Sequence, residues 1–195
     1  MKRSYKLIAC AAILSGVLGI QGCGSRTNTS ETAQVNPNPD ATGSANRTTP
    51  SLSAADSEFV QKAAEGGLTE VELGRLAQQN ASSDAVKQFG QRMEQDHTKA
   101  NQDLQQVASS KGITLPQSIN DKHAAEKDRL AKLSGKRFDS EYMKEMVKDH
   151  KEDVAEFQRE ANNAQDPDVK AFGARTLPTL QDHLRMAQDV EKTVK

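Results

Sequence analysis

The feature that most constrains the fold is a helical stripe of apolar side chains that recurs in three stretches of the chain. Between 86 and 107 the apolar residues recur at steps of three and four, which is the spacing of one face of an α-helix. The same spacing recurs over 143–157 and over 169–190. Each stripe contains a histidine directly preceded by an aspartate: Asp96-His97, Asp149-His150 and Asp182-His183. We therefore expect long helices that each carry one imidazole on the apolar face.

Composition limits the size of the core and the kind of partner. The chain has 195 residues, which allows one ordinary domain with appendages. Its hydrophobic content is 35% and it has no Trp, which favours slender helices over a wide sheet. Since the net charge is −1, the basic surface that nucleic acid requires is absent. The two cysteines, Cys10 and Cys23, are both N-terminal and provide no disulfide framework for the domain.

Residues 1–23 have the pattern of an export signal. Three basic residues near the start precede an apolar run over 7–20, whose 14 residues are short for a membrane span. The run ends in Gly22-Cys23, which resembles the lipobox of bacterial lipoproteins. We therefore expect Cys23 to be lipidated and to anchor an exported, periplasmic protein, with cleavage nearby and a free cysteine as the alternative. Gly24 after the cysteine favours the outer membrane.

Residues 24–52 form a segment of Ser, Thr, Asn, Pro and Gly with almost no apolar side chains. Such a segment cannot bury enough surface to offset the entropy of ordering, so it is expected to be a flexible tether. The folded domain is expected over 53–195.

Five helices are expected in that domain. The first begins at Ser53, whose side chain is a suitable cap, and Gly66-Gly67 marks either close packing or a break in it. The second covers about 84–110, and a lesser helix covers roughly 119–133. The fourth opens at Phe138 with Asp139 as its cap and reaches about 164. The last starts at Asp166-Pro167 and continues nearly to Lys195, with a kink expected at Pro178.

The connections predict how the four long helices are arranged. The first and last connections are short, so each joins antiparallel neighbours, whereas the central one has about 25 residues and can run back along the bundle. The segments Val86–Gly90 and Val169–Gly173 echo each other, which favours two related hairpins. An all-α, ferritin-like four-helix bundle is therefore the expected fold.

A set of short segments along the chain carries a resemblance to a known family. They are Phe59, Glu70–Ala77, Val86–Gly90, Met93 with Asp96-His97, Gly112–Pro116, Phe138-Asp139 with Tyr142, Asp149-His150, and Leu177-Pro178 with His183. As a set they resemble the bacterial domain-of-unknown-function family 4142, which is placed in the ferritin-like superfamily and contains exported proteins, often lipoproteins. The resemblance covers 56–192 and implies that fold and that compartment. It implies no reaction.

Four polar residues on the apolar faces are candidates for one metal site. At 1.5 Å per residue, the three histidines lie about 21–25 Å from their turns and Glu70 about 16 Å from its own. The expected ligands are therefore Glu70, His97, His150 and His183, a set that suits Zn²⁺, Fe²⁺ or Cu²⁺. The preceding aspartates Asp96, Asp149 and Asp182 point about 100° away from their neighbouring histidines, so each is expected to orient an imidazole of another helix. The alternative is a buried hydrogen-bonded network that only specifies the packing.

No motif indicates a reaction. Di-iron bundles place Glu-x-x-His on two helices, and here the spacing occurs only at Glu94 and His97. His123 and Asp153 are expected to be solvated. The expected function is a lipid-anchored envelope protein that binds a metal. The alternative is a structural module that interacts with an envelope partner.

Overall fold

A computed structural model describes residues 52–195. The expected signal sequence over 1–23, the lipidation site Cys23 and the tether up to residue 51 lie outside the described residues. The described part contains five helices and no strand, which confirms the all-α prediction. They are α1 Ala54–Asn80, α2 Asp84–Ser110, α3 Asp121–Ala131, α4 Gly135–Asn163 and α5 Pro167–Thr193.

Most helix boundaries agree with those predicted from the sequence, but the start of α4 does not. The side chain of Ser53 accepts a hydrogen bond from the backbone of Asp56, and Asp166 caps α5 in the same way. Helix α4 starts at Gly135, so Asp139 is not its cap as expected. Helix α3 is shorter than predicted, and α5 runs through Pro178 without interruption.

The long helices form two antiparallel hairpins. Helix α1 packs on α2 and α4 packs on α5, while α2·α5 and α1·α4 contacts join the hairpins. The end of α1 lies beside the start of α4, and the start of α1 lies beside the start of α5. Each long helix is therefore antiparallel to both of its neighbours. Helix α3 lies in the crossover and packs on α1 and α4. This is the ferritin-like arrangement that the connections predicted.

Two buried aspartates join the hairpins at opposite ends of the bundle. Asp56 of α1 accepts hydrogen bonds from the backbone N–H groups of Gln165 and Asp166, at 3.2 and 2.9 Å. Asp139 of α4 accepts from the backbone of Ser82 and Ser83, both at 3.0 Å. Each carboxylate thus satisfies N–H groups in the turn of the other hairpin. This is the role that Asp139 has instead of capping its own helix.

Glycines let the paired helices approach closely. A Cβ on Gly90 would lie 2.7 Å from the carbonyl oxygen of Gly74, so α1 and α2 touch there through their backbones. Gly173 takes the equivalent place against α4. Helix α1 is not broken at Gly66-Gly67: Gly67 backs onto Asn101, while a Cβ on Gly66 would meet nothing within 4 Å.

The apolar core consists of two clusters separated along the bundle axis. One contains the ring cluster of Phe59, Phe157 and Phe172, and the other is built around Phe89, Phe138 and Tyr142. In all four long helices a buried polar residue lies between the parts that enter the two clusters: Glu70, His97, His150 and His183. The core therefore has a polar layer at mid-height, which is where the site is found.

Candidate metal centre

Three imidazoles from three helices meet in the polar layer. His97 of α2, His150 of α4 and His183 of α5 have ring centroids 5.3 to 5.8 Å apart. Each ring offers one nitrogen, and these three atoms all lie within 4.8 Å of one another. The exposed fractions of the three residues are 6%, 0% and 1%. The helical periodicity thus brings the three rings together inside the bundle.

The hydrogen bonds of His150 determine which of its nitrogens faces the centre. Its Nδ1 lies 2.9 Å from the carbonyl oxygen of Met146, one turn earlier in α4. A carbonyl oxygen can only accept, so Nδ1 carries the proton and donates it. Nε2 therefore presents a lone pair, and this atom is buried with no hydrogen-bond partner.

His183 is held in the same manner by a carboxylate from another helix. Its Nε2 lies 2.8 Å from Oδ2 of Asp96, which accepts the hydrogen bond, and Arg92 donates to the same carboxylate. The lone pair is then on Nδ1, which is again buried without a partner. Asp96 of α2 thus orients the imidazole of His183 in α5 rather than that of His97, its neighbour in the sequence.

The third ring completes a set of three unpaired nitrogens. Nε2 of His97 is buried and has no partner. An unsatisfied buried polar atom costs about 1–3 kcal/mol, so three such atoms side by side are expensive unless something binds them. The cluster can hold a metal ion or, with added protons or water, form hydrogen bonds.

Burial keeps all three imidazoles neutral. It lowers the pKa of His97 well below its ordinary value, and the neighbouring imidazoles lower it further. Burial also lowers the pKa of His150 to about 4, with a smaller contribution from His183. The pKa of His183 is lowered by burial although the hydrogen bond to Asp96 opposes the shift. The neutral imidazole is the form that binds metals, so no deprotonation is needed at neutral pH.

Glu70 does not lie among the three ligand nitrogens. Its Oε1 is 3.9 Å from Nδ1 of His150, which is the protonated nitrogen that faces Met146, and its Oε2 has no partner. At that distance the contact is not a hydrogen bond. Burial raises the pKa of Glu70 well above its ordinary value, and the carboxylates of Asp153 and Asp149 raise it further. Glu70 is thus placed on the other side of the His150 ring.

The remaining two aspartates do not contact an imidazole. Asp182 is exposed and pairs with Arg185 at 3.0 Å. Asp149 lies beside Glu126 and Glu145, and burial followed by these neighbours raises the pKa of Asp149 to about 7. The sequence did not predict Met146 as the hydrogen-bond partner of His150, because every residue has a backbone carbonyl and no pattern of residue types indicates which one is used.

Glu94 is not a metal ligand, although it forms Glu-x-x-His with His97. Its carboxylate accepts hydrogen bonds from Arg75 and Gln78 at 2.7 and 2.8 Å, on the side of α2 that faces α1. Neither Glu70 nor Glu94 therefore joins the imidazoles as the carboxylate ligands of a di-iron bundle would.

A small cavity of about 30 Å³ borders His97 and is lined also by Asn101, Thr176 and Asp153. Such a volume accommodates a water molecule, and the lining offers polar partners for it. The structure therefore has space for a small molecule such as water beside His97.

The sequence matches one family model over most of its length, and this match identifies the family. The model is described as Domain of unknown function (DUF4142) and matches residues 41–190. The chain belongs to the DUF4142 family. Nothing among the curated proteins matches it.

Solved structures similar to this DUF4142 chain come from another family. A DUF305 fragment from Deinococcus radiodurans has a TM-score of 0.65 at 16% identity, covering 74% of this chain and 99% of that one. A second structure, from Streptomyces coelicolor and described as a "putative secreted protein DUF305", has a TM-score of 0.61 at 14% identity, covering 72% of this chain and 93% of that one. At such identities the likeness establishes the shared helical fold alone. Among residues 52–195, no helix is long and apolar enough to cross a membrane.

Proposed function

We propose that this DUF4142 domain binds one transition-metal ion through Nε2 of His97, Nε2 of His150 and Nδ1 of His183. The observation that carries the proposal is the set of three buried, unpartnered nitrogens on three convergent rings. Two of the rings also donate a hydrogen bond from their other nitrogen, to Met146 and to Asp96. Metal-ligating histidines in proteins are held in this way, since the second bond fixes the tautomer and the ring orientation.

The spacing of the nitrogens is close to what a metal requires. Three nitrogens bound at about 2.1 Å to one tetrahedral ion lie about 3.4 Å apart. One nitrogen of each ring lies within 4.8 Å of the other two, so side-chain movements on the order of 1 Å bring the rings into range. Imidazole ligands suit Zn²⁺, Fe²⁺ and Cu²⁺, and the cavity beside His97 leaves room for water as the fourth ligand.

Zinc titration of the full-length protein tests the proposal. Zn²⁺ at about 100 times its dissociation constant should raise the free energy of unfolding by about 2.7 kcal/mol. His97→Ala, His150→Ala and His183→Ala should each abolish this gain and weaken Zn²⁺ binding in calorimetry, whereas Met93→Ala should keep both. Met93 is a suitable control because it is equally buried and lies one turn from His97 in the apolar core.

The second candidate function is a structural or interaction module of the cell envelope. It is favoured by the hydrogen bond from His183 to Asp96, which joins α5 to α2 without any ion, and by the bond that holds the His150 ring against its own helix. Protein purified without chelators that contains no metal, and a wild type that Zn²⁺, Fe²⁺ and Cu²⁺ leave unchanged in stability, would favour this reading over metal binding.

The proposal includes an anchor outside the described residues. The lipobox-like Gly22-Cys23 and the polar segment after it support an exported domain tethered to the outer membrane through Cys23. Expressed in a Gram-negative host, Cys23→Ala should leave the membrane fraction, whereas Cys10→Ala should remain in it. A wild-type protein recovered in the soluble fraction with a free thiol would contradict the anchor.

A further inference from the structure

A second polar cavity lies between α1, α3 and α4, on the far side of His150 from the imidazole centre. Its volume is about 90 Å³ and its lining includes five acidic residues and one imidazole: Glu70, Glu126, Asp149, Glu152, Asp153 and His123. We call it the carboxylate cavity. The sequence did not indicate it, because His123 and Asp153 were expected to be solvated, whereas both are partly buried here.

Three unpartnered polar atoms line this cavity. They are Oε2 of Glu70, Nδ1 of His123 and Oε1 of Glu126, each buried and without a hydrogen-bond partner. Glu70 is the most informative of the three, since its side chain is 4% exposed and it lies within the bundle core. A carboxylate buried so deeply without a donor requires either a proton or a cation.

The carboxylates are also close enough to share an ion. Oxygens of Glu126, Glu145 and Asp149 lie within 4.8 Å of one another. Glu145 is already paired with Arg129 and Lys148, both at 2.7 Å, and Lys148 also lies 3.5 Å from Asp149, which leaves Glu126 as the carboxylate of this group without an ion pair. Glu126 and Asp149 project from α3 and α4, and Glu70 lines the same cavity from α1 outside the 4.8 Å group.

We propose that the carboxylate cavity binds a divalent cation that prefers oxygen ligands, through Glu70, Glu126 and Asp149, with His123 as a nitrogen ligand. Carboxylates and water suit Mn²⁺, Ca²⁺ and Mg²⁺, and the volume admits an ion with some of its water. Lys122 and Lys148 also line the cavity, and Lys148 pairs with Glu145 at 2.7 Å and with Asp149 at 3.5 Å, so the cation would replace Lys148 at Asp149. The ion would tie the crossover helix α3 to α1 and α4. This site is separate from the proposed imidazole centre and does not rest on it.

Mn²⁺ binding to the full-length protein, followed by the loss of the free-ion signal in electron paramagnetic resonance, tests the second site. The wild type carrying one equivalent of Zn²⁺ should bind one further Mn²⁺ per chain. A variant with His97→Ala and His183→Ala should bind Mn²⁺ with the same affinity, since it lacks only the imidazole centre. Loss of Mn²⁺ binding in this variant alone would place the ion among the imidazoles and overturn the proposal.

Single carboxamide substitutions locate the ion. Glu70→Gln and Glu126→Gln should each weaken Mn²⁺ binding at least tenfold while leaving Zn²⁺ binding unchanged. Glu141→Gln is the matched control, because Glu141 is a partly exposed glutamate of α4 that pairs with Lys144 outside the cavity, and the variant should bind Mn²⁺ as the wild type does. No Mn²⁺ binding to the wild type, or binding that both cavity substitutions leave intact, would overturn the proposal.

Discussion

The two sides of the His150 ring differ in how each accommodates polar groups away from water. On one side three imidazoles lose their charge, so burial costs them only unmade hydrogen bonds. On the other side the buried groups are acids that at neutral pH must be neutralised by protonation or by a cation. Both sides contain buried polar atoms without hydrogen-bond partners, but only the acidic side contains groups that would ordinarily be charged at neutral pH. The difference teaches that residue type, rather than burial depth, determines what each cavity needs.

The same cause, burial, shifts the pKa values of the two sides in opposite directions. It lowers the pKa of His150 to about 4 and raises the pKa of Asp153 to about 7. A lowered imidazole pKa gives stability that is present above pH 6.5 and is lost as the pH falls. A raised carboxyl pKa gives stability that is present below about pH 4 and is lost as the pH rises. The two effects therefore oppose each other over one window, about pH 4 to 7.

The largest expected effect on the pH dependence of stability comes from removing the carboxyl groups of the acidic side. A metal-free variant with Glu70→Gln, Glu126→Gln, Asp149→Asn and Asp153→Asn lacks the cavity carboxyls whose pKa values burial raises and retains the imidazole side. Its free energy of unfolding should fall on the order of 3 kcal/mol from His150 alone between pH 6.5 and pH 4, whereas the wild type should change less. Urea unfolding with a chelator over that range measures both slopes. A variant that becomes more stable toward pH 4 would contradict the assigned sign.

Asp96→Asn should weaken Zn²⁺ binding about 10- to 100-fold, because the carboxylate orients His183 and increases its basicity. Asp182→Asn is the control, since that aspartate precedes His183 in sequence but pairs with Arg185 at the surface. Calorimetric titration of both variants separates the two. Equal Zn²⁺ affinities of the two variants would mean that the carboxylate bonded to Nε2 of His183 does not contribute to metal binding.

Glu70→Gln should raise the free energy of unfolding of the metal-free protein at pH 7 by about 1 kcal/mol, because an amide of the same shape removes a buried acid that is costly to ionise. The gain should vanish near pH 4, where the carboxyl of Glu70 is protonated in the folded and, in part, the unfolded protein. Urea unfolding at both pH values is the measurement. Destabilisation at pH 7 would show that the carboxylate is compensated within the fold.

The smallest expected effect concerns Gly66, which lines both the cavity beside His97 and the carboxylate cavity. Gly66→Ala should stabilise the protein by about 0.5–1 kcal/mol, because alanine favours the helix and its methyl group meets open space. Gly90→Ala should destabilise it, since its methyl group would meet the backbone of α1. Thermal unfolding of the two variants checks the contrast, and a loss of stability in Gly66→Ala would contradict it.

The sequence by itself determined the helices, the hairpins and the layer that holds the three histidines. These features depend on local quantities, namely the 3.6-residue period, the turn residues and the lengths of the connections. A histidine on an apolar stripe must enter the core at a height given by its distance from the turn. The convergence of His97, His150 and His183 was therefore predictable without coordinates.

Only the tertiary structure decided the direction of each polar group. Neighbouring residues on a helix point about 100° apart, so modest rotations of α1 and α4 decide whether Glu70 faces the imidazoles or the opposite side of His150. The crossover helix α3 fully buries only Leu130, yet its packing on α1 and α4 creates the carboxylate cavity and encloses His123. Helix rotation and the docking of a short helix depend on the summed packing of many side chains, which no local pattern contains.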